Sequence, residues 1–221
     1  MDRWEVIGSG QYGQVYKTCY KDNAVCCDYV LKQQDYDKDV FNNEIKAIQI
    51  LKCNPNLYDH IPTLYDAWIC FRAVAVPAGM KPVEPVKGQA YYVMEELIPL
   101  TAGVNYYEQV SEILNEMQAL GWLHVDIKPD NVMQRVDGTV VIIDFGWCVN
   151  MTDGIDIDGV ICFPNHPLSV KFDKCLTWVQ LAQFQLVNLR MGFNAPVELQ
   201  NRAIELHRTE LYPIINPEQD A

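Results

Sequence analysis

The 221-residue chain has no apolar run near the ~20 residues that a membrane-spanning helix needs. It also has no excess of positive charge: 17 lysines and arginines stand against 29 aspartates and glutamates, a formal net charge of −12. The first absence leaves no candidate membrane span. The second argues against non-specific binding to nucleic acid or anionic membranes, which takes a positive surface. The eight cysteines include no C-x-x-C pair and no cysteine–histidine ladder, which argues against structural zinc and favours reduced thiols over a disulfide framework. The opening residues, Met1-Asp-Arg-Trp-Glu5, lack the basic and apolar regions of a leader, so a cytoplasmic setting is expected. Repeats and low-complexity tracts are missing. Asp153, Asp156 and Asp158 lack the spacing and closing glutamate of a calcium loop and read as solvated carboxylates. What remains, with 49% apolar residues, is the composition of an ordinary folded protein.

Local patterning divides the chain in two. Residues 4 to 32 alternate as antiparallel strands around a glycine turn, and Leu64–Phe71 and Gln89–Met94 read as further strands. Between them, Asp39 to Leu51 places Phe41, Ile45, Ile48 and Leu51 at helical spacing, stopped by Asn54-Pro55-Asn56. Val76 to Lys87, with three prolines and one glycine, reads as an exposed loop. Helices dominate later. Tyr106 to Leu120 sets Val110, Ile113, Leu114 and Met117 on one face before Gly121. Cys175 to Leu189 is apolar nearly all round and is expected to be buried. A last helix, about Pro196 to Leu211, presents Val197, Ile204 and Leu211. The class is α+β.

The chemistry concentrates in His124-Val-Asp126-Ile-Lys128-Pro-Asp-Asn131 and Asp144-Phe145-Gly146. Asn131-Val-Met-Gln-Arg-Val136 reads as a strand, Asp137-Gly138 as a tight turn, and Thr139 to Ile143 as the returning strand. A short hairpin brings its ends together, so Asp126 and Asn131 meet Asp144. Two carboxylates, an amide and the Lys128 ammonium then share one place, the set needed to handle a metal-bound triphosphate.

Upstream stand Gly8-Ser-Gly10-Gln-Tyr-Gly13-Gln-Val15, Tyr29-Val30-Leu31-Lys32, Asn43-Glu44-Ile45 and Tyr92-Val93-Met94-Glu95-Glu96-Leu97. A lone G-x-G-x-x-G is common in flexible turns. The whole series, in this order and near this spacing, resembles the eukaryotic-type serine/threonine protein kinases; in overall economy, though in no motif, the chain is similar to the compact kinases of large DNA viruses. The resemblance implies a bilobal protein-kinase-like fold, with a small antiparallel-sheet N-lobe (1–97) and a reduced, mainly helical C-lobe (98–221). It implies ATP and Mg2+ as cofactors. Gly8, Gly10 and Gly13 would cradle phosphates. Val15, Val30, the gatekeeper Met94, the backbone of Glu95 and Leu97, and Met133 would enclose the adenine. Lys32, paired with Glu44, would hold the α- and β-phosphates; Asp126 would be the base and Lys128 the charge on the transferred phosphoryl group. Asn131 and Asp144 would bind magnesium, while His124 and Phe145 pack on each other and on Ile48. Lys128 favours a protein substrate, and the acidic surface suits a basic one.

Departures from the family pattern accompany the matches. Val125 replaces the arginine that pairs with an activation-segment phosphate, so a constitutively folded segment is expected. No Ala-Pro-Glu follows Gly146. Phe163-Pro-Asn-His-Pro167 reads as the only rigid stretch between Trp147 and Ser169. On this resemblance the last third of the large lobe is expected to be absent, with room for a partner chain to complete it. Asp173 is the candidate to anchor the catalytic-loop backbone. Three readings stay open: a protein kinase, a nucleotide-binding pseudokinase or scaffold, and a small-molecule kinase that would do without a peptide platform.

Overall fold

The computed structural model describes residues 5–10, 13–18, 29–71 and 88–211. Met1 to Trp4, Gln11-Tyr12 of the glycine motif, Cys26-Cys27 and the loop expected over 76–87 lie outside these residues. The first strands follow the alternation read from the sequence. β1 (Glu5–Gly10), β2 (Gly13–Thr18), β3 (Tyr29–Asp35), β4 (Leu64–Phe71) and β5 (Gly88–Glu95) form an antiparallel sheet ordered β1-β2-β3-β5-β4. The register pairs Val15 with Lys32, Lys32 with Tyr92, and Val30 with Met94. Cross-strand partners share a face, so these five side chains line one side of the sheet.

α1 (Lys38–Leu51) starts where the Asp37 carboxylate accepts the N–H groups of Asp39 and Val40 at 2.9 and 3.0 Å, relieving two orphan donors of the first turn. It buries Phe41, Glu44, Ala47, Ile48 and Leu51; Ile45, expected on that stripe, is half-buried.

After β6 (Ile98–Pro99) comes α2 (Tyr107–Ala119), which buries Val110, Ile113, Leu114 and Met117 as expected. It leads through Gly121, at φ +76°, into β7 (Trp122–Leu123). The hairpin is β8 (Val132–Gln134) and β9 (Val140–Ile142), turning at Gly138 with φ +90°. Asn131 itself sits in a 3-10 turn just before β8. One apolar core joins α1 to the later helices: Ala47, Ile48 and Leu51 pack with Val110, Ile113, Leu114, Met117, Ile142 and Phe145.

Four expectations need correction. The segment after Gly146 is not a loop with one rigid stretch. It carries β10 (Val149–Asn150) against β7, and β11 (Ile155–Ile157) and β12 (Val160–Phe163) before α3 (Pro167–Lys171). β13 (Leu176–Thr177) then pairs with β12, so residues expected to open a helix are a strand. α4 (Trp178–Gly192) follows, capped by Thr177 and Gln180 in a reciprocal box. α4 is not buried all round: Leu181, Gln185, Val187 and Leu189 are buried, whereas Val179 is 62% exposed. α5 (Val197–Leu206) and a π turn (His207–Leu211) bury Ala203 and Leu211 but expose Val197 and Ile204, the reverse of the expected face for those two.

Candidate active site

Lys32, on β3, is the hub of the first constellation. Its Nζ lies 2.9 Å from Glu44 Oε1 and 3.2 Å from Asp144 Oδ1, and 5.3 Å from the centre of the Tyr92 ring. Burial works against the ammonium, but Glu44 and Asp144 outweigh it and hold Lys32 above its ordinary value. Burial pushes the Glu44 carboxyl up, with Lys32 pulling it back. Such a pair contributes little net stability, yet removing one member strands a buried charge at about 3–5 kcal/mol.

The second constellation forms on the loop between β7 and β8. Lys128 Nζ donates to Asp126 Oδ2 at 2.7 Å, and Asn131 Nδ2 donates to the same oxygen at 2.9 Å and to the Asp126 carbonyl at 2.8 Å. The Ile143 N–H donates to the Asn131 carbonyl at 2.9 Å, which sets Asn131 beside Asp144 across the hairpin mouth. His124 Nε2 meets the Ile143 carbonyl at 3.0 Å, and its ring stands edge-on to Phe145 at 5.3 Å. Phe145 in turn shares the core with Ile48. Burial lowers the His124 pKa, so the ring is a neutral structural tie. Asp144 sits in left-handed backbone at φ +66°, just ahead of the 3-10 turn Phe145–Trp147.

Among the nucleotide-pocket candidates, Val30 is buried on the sheet face that carries Lys32. Val15, Met94, Leu97 and Met133 are half-buried. Glu95 has a further job: its carboxylate accepts from Arg135 Nε and Nη2, both at 2.8 Å, and from the Thr63 N–H at 2.7 Å. That clamp ties the end of β5 to the residue after β8. The glycines differ. A Cβ on Gly8 would meet only Val15 at 3.7 Å, but one on Gly13 would lie 1.9 Å from the Gln33 carbonyl oxygen. Gly13 is therefore demanded by the β2–β3 contact.

Val125 holds no charge-pairing position. It is fully buried and packs with Leu123, Val149, Phe163, Leu168, Leu176 and Leu181. Apolar packing thus joins the catalytic loop to the segment after Gly146, where an arginine–phosphate pair was the family pattern.

Asp173 does not anchor the backbone of the β7–β8 loop; Gln185 of α4 does. Its Oε1 accepts the N–H of His124 at 2.7 Å and of Val125 at 3.2 Å. Asn188 Nδ2 reaches the Val125 carbonyl at 3.4 Å, and Gly192 abuts Pro129. These contacts hold Val125 at φ +63°, a rare conformation for a β-branched residue.

Asp153 pairs with Lys46 at 2.6 Å, Asp156 Oδ1 accepts the Gly159 N–H at 2.8 Å, and no metal-binding cluster of three or more His, Cys, Asp or Glu occurs among the described residues.

The protein kinase domain family matches residues 1–165. The chain belongs to that family, and its similarities lie with the serine/threonine kinases. A Dictyostelium discoideum protein named as the serine/threonine-protein kinase mkcF is 28% identical over 202 residues, covering 89% of this chain and 28% of its own length. Mouse serine/threonine-protein kinase PAK 1 is 28% identical over 159 residues, 67% of this chain and 26% of its own. A mimivirus protein named as the serine/threonine-protein kinase L673 is 25% identical over 142 residues, 63% of this chain and 25% of its own. The chain thus spans about a quarter of the length of these relatives.

Proposed function

We propose that the protein transfers the γ-phosphoryl group of ATP to serine or threonine hydroxyls of a protein substrate, with Mg2+, and needs no phosphate on the segment 147–177 to do so. The observation that carries the reading is the closure of Glu44–Lys32–Asp144 and Lys128–Asp126–Asn131 on either side of one hairpin mouth. The donor set fits the cofactors: a carboxylate and an amide oxygen are hard ligands suited to Mg2+, and Lys32 is a compact cation suited to phosphate. Bound Mg2+ would neutralise the charge of the phosphate oxygens at Asn131 and Asp144.

The residues of the chain supply the rest. Lys32, fixed by Glu44, holds the non-transferred phosphates in line. Asp126 orients the substrate hydroxyl and takes its proton. Lys128, already against Asp126, faces the charge that develops as the phosphoryl group moves. Val30 and Met94, on the same face of the sheet as Lys32, would receive the adenine. Val125 and its apolar neighbours keep the segment folded without a charge switch, and a net charge of −12 is compatible with a basic substrate.

The test is Mg2+-dependent transfer of labelled phosphate from ATP to a generic basic protein. The parent protein transfers; Asp126→Asn and Lys32→Met do not. Nucleotide binding with no transfer to any protein would point to a scaffold. Transfer only to small alcohols would point to a small-molecule kinase.

A further inference from the structure

α1 carries two working stripes. Phe41, Glu44 and Ile48 turn inward, while Val40, Asn43 and Lys46, three apart, meet the chain just after Asp144. On this second stripe Val40 touches Gly146 so closely that a Cβ there would lie 2.6 Å from Val40 Cγ1. Lys46 reaches Asp153, but the two side chains are 45% and 47% exposed, so that pair contributes little. Between them, Asn43 Nδ2 donates to the carbonyls of Cys148 at 2.6 Å and Gly146 at 3.0 Å, with that of Phe145 at 3.5 Å. This amide is the principal polar tie between the helix that bears Glu44 and the loop that bears Asp144.

We infer that Asn43 is a positioning residue, which clamps α1 to the 144–148 loop and so keeps Lys32 bridged between Glu44 and Asp144 without a phosphate on the segment. The kinetic consequence rests on the kinase reading above; the clamp itself does not. The chemistry is specific to the amide. It offers two N–H donors to backbone carbonyls that have no donors of their own to return. A carboxylate of the same size offers none and sets negative charge against those oxygens. Without the clamp, the buried polar link between Glu44 and Asp144 runs through Lys32, and the apolar contacts of Val40 with Gly146 and of Ile48 with Phe145 fix no hydrogen-bond geometry.

The experiment uses the full, phosphatase-treated chain with Asn43→Ala and the near-isosteric Asn43→Asp. It measures nucleotide-binding stoichiometry, turnover per bound nucleotide, and amide hydrogen exchange over residues 145–153. The expected result is stoichiometry near that of the parent, turnover per site lower by about 10- to 100-fold, and faster exchange over 145–153 with β2 and β3 unaltered. A purely structural role would reduce the number of binding sites and leave turnover per site unchanged; that outcome overturns the inference, as does unchanged turnover with unchanged exchange. If the parent transfers no phosphate, the kinase reading fails and exchange alone decides the clamp: acceleration in both variants supports it, parent-like exchange overturns it.

Discussion

At the scale of single residues, Val125 and Gln185 form one device. Holding a valine at positive φ is a strain of about 1–3 kcal/mol, maintained here because Gln185 satisfies two buried N–H groups and the side chain is locked in an apolar cluster. Gln185→Leu strands both donors. It is expected to destabilise the protein by about 1–3 kcal/mol for each N–H left unpaired, read as a lower urea midpoint. Gln185→Glu keeps an acceptor oxygen and loses less. An equal loss in both variants would remove the hydrogen bonds from the explanation. That Asp126, Lys128 and Asn131 would meet, and that Lys32 would reach Asp144, could be read from the sequence because the motifs stand in family order around a short hairpin. Gln185 could not. A glutamine within an apolar helix has no signature of its own, and Asp173 stood nearer the expected anchor position.

At the scale of elements, the glycine-rich hairpin separates two demands that look alike in sequence. Gly13→Ala drives a Cβ to 1.9 Å from the Gln33 carbonyl oxygen, whereas Gly8→Ala meets only Val15 at 3.7 Å. Gly13→Ala is therefore expected to disrupt β2–β3 pairing and lower the unfolding temperature by several degrees, for a loss of more than about 1 kcal/mol. Gly8→Ala should leave it within the change set by about 0.5 kcal/mol. Calorimetry of the two variants checks this; equal effects would show that the β2–β3 contact does not select Gly13. The long elements were legible because α1 and α2 repeat apolar residues over three or more turns and β3 to β5 span seven or eight residues. β10 to β13 have two to four residues each, too few for a period to show. α4 misled for a different reason: its apolar residues outnumber the neighbours that cover them, so Val179 and Met191 stay exposed.

At the scale of the whole molecule, two buried histidines link stability to pH. Burial depresses both His124 and His166 below the ordinary 6.5. The folded state keeps them neutral, while the unfolded chain takes up protons below that value, so stability is fully present above 6.5 and falls as pH drops through it toward the folded values. Glu95, whose burial is outweighed by its bonds to Arg135 and Thr63, is held below 4.5 and adds a second loss at lower pH. The urea midpoint should therefore be lower at about pH 5.5 than at about pH 7.5; a flat profile would exclude the buried rings as its source.

The same apolar packing that shelters Val125 leads to the claim on which the functional reading depends: the site is assembled from side chains alone. Single-turnover transfer of labelled phosphate from ATP to a basic protein, by bacterially expressed, phosphatase-treated protein with Mg2+, probes it without intermediaries. Transfer at the rate of untreated protein, abolished by Asp126→Asn, is the expected finding. Transfer that vanishes on phosphatase treatment, or persists in Asp126→Asn, would show that residues 32, 44, 126, 131 and 144 are not the self-sufficient site described.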